Sequence, residues 1–376
     1  MEVKYQAQKQ SNKGIGPAKE TDAVLPVTVR LPARARMFLF PILIIGILIL
    51  ILLELGVGTV AIDFKGIIAA LFGLEGADPT HSTIIKELRM PRTIAAGIGG
   101  AALGTAGLQL QTMFRNPLAG PWALGLTAGA QLGVALVVTT AAVVGSSFLE
   151  NLEILSNLGI VAGAMLGCLL VLLLMVFVAR YVSTITLLIF GLMLGYFSLG
   201  LISAILHFTN QSQAKVFAGW NDGSFAGVYW EHFPVLIPLT IIGLISGWLM
   251  AKPLNAFLLG ENYARALGMS VKRTRIVTLG SAVLLAAPTT AYCGPVLFLG
   301  LIVPHLARGL FSTSDHRILI PAVMLLGCLV AMAADLFVHL PWERHFLHLN
   351  AVNALIGAPV VMWVLLRNRK MRTFEL

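Results

Sequence analysis

Residues 37–53 read MFLFPILIIGILILILL, an unbroken run with no charged or amide side chain in it. Coiled into a helix, this run is apolar on every face, which suits a lipid solvent rather than water. At 1.5 Å per residue, about 20 such residues cross the hydrocarbon core of a bilayer. The same texture recurs along the chain. Apolar stretches between charges and turn signals predict ten spans at 37–60, 92–113, 121–145, 157–179, 184–207, 232–251, 274–292, 295–311, 317–339 and 350–367. Gly125, Gly129 and Gly133 suggest a break in the third span, and Cys293-Gly294-Pro295 predicts a tight turn between the seventh and eighth. The composition agrees: of 376 residues, 57% are hydrophobic and 11% charged, against about 25% charged in soluble domains. An ordinary cytosolic enzyme, a disordered chain and a nucleic-acid-binding domain are excluded. The expected class is all-α, a polytopic membrane bundle.

The net charge of +9 then reads as a topology signal. Lys65, Lys86, Arg89, Arg92, Lys215 and Arg344 fall in segments predicted to lie outside, and the other 20 of the 26 Lys and Arg fall inside. That split satisfies the positive-inside rule with an even number of spans and both termini cytoplasmic. Residues 1–36 are polar and basic and read as a flexible cytoplasmic tail, not a signal peptide. Residues 37–370 form the ten-helix domain, and 371–376 a cytoplasmic end. Cys168, Cys293 and Cys328 lie far apart among apolar residues and read as small buried hydrophobes. Glycines four apart, at 100/104, 125/129, 163/167 and 191/195, predict close helix–helix contact.

No phosphate-binding GxxxxGK[ST], HExxH zinc site or GxSxG nucleophile elbow occurs, so the chain does not read as an enzyme. Three segments are richer than a plain bundle requires. One runs from Arg89-Met-Pro-Arg92 through Gly99–Gly104 to Arg115-Asn116-Pro117. Another is the loop 254–270, with Leu259-Gly260-Glu261 and Ala264-Arg265-Ala-Leu267-Gly268. The last is Gly294 to Arg308, containing Gly300 and Pro304-His305. In the loop, Pro253 and Gly260 predict helix breaks, and Glu261 to Leu267 a short helix closed by Gly268. Leu254, Phe257, Leu258, Leu259 and Leu267 would be an unusual apolar load for a solvated connector, and such clusters mark interfaces.

Together with Ala334-Asp335 and Gly357-Ala-Pro359, these segments resemble the FecCD-type permease family, the membrane subunits of bacterial ABC importers for iron-siderophores, haem and vitamin B12. The resemblance runs in order from about residue 37 to 370. It implies ten helices in the bacterial inner membrane. A second permease copy, two cytoplasmic ATPases carrying ATP and magnesium, and an external substrate-binding protein complete the expected assembly. This chain itself is expected to bind no cofactor, no metal and no nucleic acid. The resemblance casts Arg89, Arg92 and Arg344 as sockets for acidic knobs of the binding protein. Arg344 stands in for an arginine that His339 replaces. It makes 254–270 the ATPase-coupling element, through Leu259, Gly260, Glu261, Ala264, Arg265, Leu267 and Gly268, with Leu259, Ala264 and Leu267 as the packed contact. Asn116, Pro117, Gly300, Pro304, His305, Asp335, Gly357 and Pro359 become structural motif positions.

Several residues carry a plainer reading. His207, His339, His345 and His348 read as interfacial histidines near the outer face, and Trp220, Trp230 and Trp342 as an aromatic belt. The competing function is an ion-coupled secondary transporter, which calls for ionisable residues near mid-membrane.

Overall fold

The computed structural model describes residues 32–74, 78–144, 153–341 and 347–372, and every regular element among them is helical. In chain order the helices are α1 (Ala33–Gly56), α2 (Phe64–Phe72), α3 (Pro79–Thr83), α4 (Met90–Met113), α5 (Leu126–Val144), α6 (Glu153–Val178), α7 (Thr184–His207), α8 (Gln211–Asn221), α9 (Phe233–Leu249), α10 (Ala251–Leu258), α11 (Glu261–Ala266), α12 (Val271–Cys293), α13 (Leu299–Phe311), α14 (His316–Val338) and α15 (Leu349–Arg372). Each of the ten predicted spans falls on one of α1, α4–α7, α9 and α12–α15. Seven of the described helices are long and apolar enough to cross a membrane, and Leu126–Thr140, Leu299–Phe311 and Leu349–Met362 are shorter apolar helices.

Side chains cap many of these helices. Ser183 Oγ accepts from Thr186 N (3.2 Å) at α7, Ser270 Oγ from Arg273 N (3.3 Å) at α12, and Asp315 Oδ1 from Arg317 N (3.0 Å) at α14. Each satisfies an amide that the helix leaves unpaired.

α4 is the axle of the bundle. The segment that contains it is 83% buried, whereas α1 is 17% buried and shows its leucines and isoleucines to the lipid. Its small residues explain why. A Cβ placed on Gly100 would lie 2.1 Å from the Gly327 carbonyl of α14, and one on Gly107 would lie 1.8 Å from the Gly300 carbonyl of α13. Without hydrogen side chains at these points the backbones could not meet.

Two predicted spans differ in detail. The third is broken as the glycines suggested: a 3₁₀ turn covers Trp122–Leu124, Gly125 takes φ 71°, and the helix starts at Leu126. Gly125 therefore sits in a turn against Gly191 and Gly195, and only Gly129 makes the helix contact, with Gly167. The eighth starts at Leu299 rather than 295, because 294–298 is non-helical and ends on Phe298 at φ 66°. Asn350 supports this irregular stretch, donating to the Pro295 carbonyl (2.7 Å) and accepting from Leu297 N (2.9 Å). Non-helical backbone at membrane depth survives only where such partners bury it.

Candidate functional site

Segments expected on the same side of the membrane meet in space. At one end Trp230 Nε1 donates to the Lys86 carbonyl (2.8 Å), and His348 lies 3.4 Å from Asp222. At the other, Arg275 of α12 reaches the Val182 carbonyl (3.2 Å), and Asn255 of α10 donates to Asp315 (2.7 Å).

The outer end gathers ionisable groups into a closed corner. Glu54 is fully buried near the end of α1; its Oε2 accepts from Thr93 Oγ1 of α4 at 2.6 Å, while Oε1 has no hydrogen-bond partner. Arg92 Nε lies 3.0 Å from Asp335 Oδ2 of α14, in ion contact but out of line for a hydrogen bond. His339 Nδ1 donates to the Asp335 carbonyl (2.9 Å) and stands 3.4 Å from its carboxylate. Arg89 donates to the Leu55 carbonyl (2.6 Å) and to the Val60 carbonyl, strapping the 57–62 turn to the π-helical turn Ile84–Arg89.

This corrects the picture of two outward cations. Arg89 and Arg92 are 5% and 9% exposed; Arg89 is spent on backbone carbonyls, and Arg92 faces inward to its ion contact with Asp335. The reason is desolvation: at this depth a guanidinium without a partner is costly, so carbonyls and Asp335 are drawn onto it. Arg344, His345 and Trp342 lie outside the described residues. His207 is exposed, stacked edge-on to Phe208, and Trp220 donates to the Ala291 carbonyl (3.2 Å).

A chain of polar contacts starts at the last turn of α4. Gln111 Nε2 donates to the Leu301 carbonyl (3.2 Å) and more weakly to that of Gly300 (3.4 Å), while Arg308 donates to Gln111 Oε1 (2.7 Å). Asn116 Oδ1 accepts from Leu118 N (2.9 Å), forming the turn that presents the Pro117 carbonyl to His305 Nε2 (3.0 Å). Pro304 is buried within α13, and Gly357 of α15 lets Phe298 and Ile302 close over it. Pro359 lies exposed inside α15. These motif positions thus join α4, α13 and α15.

The loop 254–270 is shaped as its glycines predict. Gly260 at φ 106° separates α10 from α11, and Gly268 at φ 79° ends the turn after α11. Side-chain-bearing residues rarely adopt either conformation. The chain breaks before Pro253, at Met250, and Pro253 falls in the first turn of α10. Asn255 then pins α10 to the start of α14 by accepting from His316 N (2.9 Å) and His316 Nδ1 (2.7 Å).

Burial divides the loop's apolar residues into two sets. Leu254, Phe257 and Ala264 are fully buried inside the chain, so Ala264 is an internal packing residue and not part of an outward contact. Leu259, Tyr263 and Leu267 stand 64%, 51% and 60% exposed. Tyr263, which the sequence reading did not single out, completes that apolar face.

Glu261 anchors the loop. Its Oε1 accepts from Arg275 (2.6 Å) and from Thr184 Oγ1 at the start of α7, and Arg265 stands 3.7 Å from Oε2. Burial alone would raise this carboxyl, but the hydrogen bonds from Thr184 and Arg275 and the two guanidinium charges hold it below the usual carboxylate range. In the sequence Arg275 is one of the 20 inner cations, with no local motif around it. Its position one turn into a span, where charge is expensive, is the signal that marks it.

The FecCD transport family model matches residues 46–367. The chain is 33% identical over 285 residues to the vitamin B12 import system permease protein BtuC of Klebsiella pneumoniae, covering 76% of this chain and 83% of the relative. An ABC transporter permease protein of Methanocaldococcus jannaschii is 31% identical over 330 residues, covering 83% and 91%. Among solved structures, a metal-chelate type ABC transporter in an inward-facing conformation superposes with a TM-score of 0.76 at 25% identity, over 88% of this chain and 99% of that one. Ends that alternate in space, an axle helix of small residues, a pinned loop with an exposed apolar face and these matches agree: the chain belongs to the FecCD transport family and is a multi-pass permease subunit of an ABC importer.

Proposed function

We propose that two copies of this chain form a homodimer in a bacterial cytoplasmic membrane, around a path for cobalamin or another metal chelate handed over by an external binding protein. The relatives' names support that cargo class: one imports vitamin B12 and another is of metal-chelate type. Hydrolysis takes place on two partner ATPases carrying ATP and magnesium, and this chain supplies the path and the seat. The observation that carries the reading is the 254–270 loop. Leu259, Tyr263 and Leu267 face solvent on an element pinned through Asn255 and Glu261, which is what a rigid docking surface needs. Gly260 and Gly268 set its shape, Ala264 packs it, and Glu261 and Arg265 fix its orientation.

On the outer face, the binding protein lands beside the corner built by Arg89 and Arg92. Those two act as positioning residues, holding the 57–62 turn and α14 in place, and Arg344 remains the candidate direct contact. The carboxylates Glu54 and Asp335 sit at helix ends beside cations rather than at mid-membrane, so they do not favour ion-coupled transport.

The test is co-expression with the binding protein and ATPase, identification of the ligand the binding protein retains, and ATP-driven uptake of that ligand into proteoliposomes. Uptake of a retained corrinoid or ferric chelate is the expected result. A retained ligand that is no metal chelate would overturn the cargo assignment.

A further inference from the structure

Between the 179–183 turn, which joins α6 to α7, and the loop bearing α11 lies a solvent-open cavity of about 540 Å³. Small-molecule sites run from about 300 to 1,000 Å³. Arg180, Arg265, Lys272 and Arg275 line it against a single acid, Glu261. That acid is already committed to Arg275, Arg265 and Thr184. Among the described residues, the Arg180 and Lys272 side chains have no hydrogen-bond or ion partner. Arg275 is nine-tenths buried and already committed to Glu261 and the Val182 carbonyl, so it contributes charge to the cavity wall rather than a free donor. Ser183 and Ser270 also line the cavity, so the positive ends of α7 and α12 open on it.

The geometry points to a binding site for a phosphate-bearing anion, held by Arg180 and Lys272 at the rim where α7 and α12 begin. A phosphate group offers several acceptor oxygens, enough to answer both free cations at once, and guanidinium is the side chain best matched to it. Two sources share this chemistry. One is the headgroup of an anionic phospholipid, since basic pockets between helices at a cytoplasmic face bind such headgroups. The exposed Phe177, Tyr181 and Ile185 beside the cavity give acyl chains a path. The other is soluble phosphate or a nucleotide. The site does not depend on the loop being the ATPase seat.

The experiment uses the full chain alone in nanodiscs, without ATPase. Native mass spectrometry and thermal unfolding compare phosphatidylcholine discs, the same discs doped with phosphatidylglycerol, and phosphatidylcholine discs in inorganic phosphate. In one arm or the other, R180Q/K272Q is expected to bind the anion at least about tenfold more weakly than wild type, since each interfacial cation contributes substantially to such binding. R180K/K272R keeps both charges and should recover most of it, separating loss of the site from misfolding. K65Q/K215Q, which removes two cations at the other end, should bind like wild type.

Retention of phosphatidylglycerol without a response to phosphate assigns the lipid headgroup. A phosphate-induced rise in unfolding midpoint, lost in R180Q/K272Q, assigns the soluble source. Equal binding by wild type and R180Q/K272Q in both arms overturns the proposal, as does an equal loss in K65Q/K215Q. If R180Q/K272Q changes neither arm but weakens ATPase capture when that subunit is added, the cavity is a seat for an acidic partner side chain. The anion site then falls.

Discussion

At the outer end of the bundle Glu54, Arg92 and Asp335 are almost wholly buried, whereas at the opposite end Leu259, Tyr263 and Leu267 stand in the open. The residue types are the reverse of what each place favours. Polar groups withdrawn from water must be answered by the chain itself, and here Glu54 accepts from Thr93 at 2.6 Å while Arg92 meets Asp335 at 3.0 Å. Apolar side chains left in water, on a backbone pinned by Asn255 and Glu261, have no such internal answer. The difference teaches that the outer charges are answered within this chain, whereas the inner apolar face is not. The outer corner is a structural knot, and the inner loop is the face we propose for docking.

The sharpest way to break this contrast is to cut the knot. Asp335→Ala leaves Arg92 buried without its counter-ion and should lower stability by about 3–5 kcal/mol, measured as unfolding in detergent. Replacing both partners with leucine should recover most of that loss, because no orphaned charge remains. A stable Asp335→Ala protein would mean the corner is no knot. Ala264→Arg comes next. Packing volume alone costs about 1–3 kcal/mol at a fully buried site, and the unpaired charge adds to it. This variant should accumulate poorly, in contrast to changes at its exposed neighbours. Thr93→Val removes the donor to Glu54 Oε2 and should cost about 1–3 kcal/mol by the same unfolding assay.

The smallest effect belongs to Glu261. Its carboxyl is held below the ordinary range by Thr184 and Arg275. The stability it contributes is therefore fully present above the unfolded carboxylate range and fades as pH falls through the lowered value. Glu261→Gln should lower stability at neutral pH, where that contribution is fully present, and flatten the acid limb, so that the two proteins converge at low pH. Equal acid sensitivity in both proteins would place the titrating group elsewhere.

Much of the fold was legible because lipid imposes a simple rule on the chain. Thr184–His207 matches its predicted span at both ends, since Ser183 is a clear cap and the run is uniformly apolar. The eighth span was misplaced by four residues because its entry is held open by Asn350, a side chain distant in sequence that no local pattern reveals. The site was legible in outline only. Gly260 and Gly268 announced the loop's breaks, but its apolar and small residues look alike until burial separates Ala264 from Leu267. Arg89 and Arg92 stand out as cations at the outer end, yet their direction depends on the Leu55 carbonyl and Asp335, which the fold brings from 34 residues and nearly two-thirds of the chain away.

The central claim, that the inner loop is an open docking face on an otherwise finished bundle, is tested most directly by Leu259→Glu with Leu267→Glu. Both side chains are mainly exposed, so stability of the isolated permease should change by no more than about 0.5 kcal/mol. Capture of the partner ATPase by the purified permease should fall at least about tenfold, as expected when charge is set into the apolar centre of an interface. Unchanged capture at unchanged stability would contradict the account.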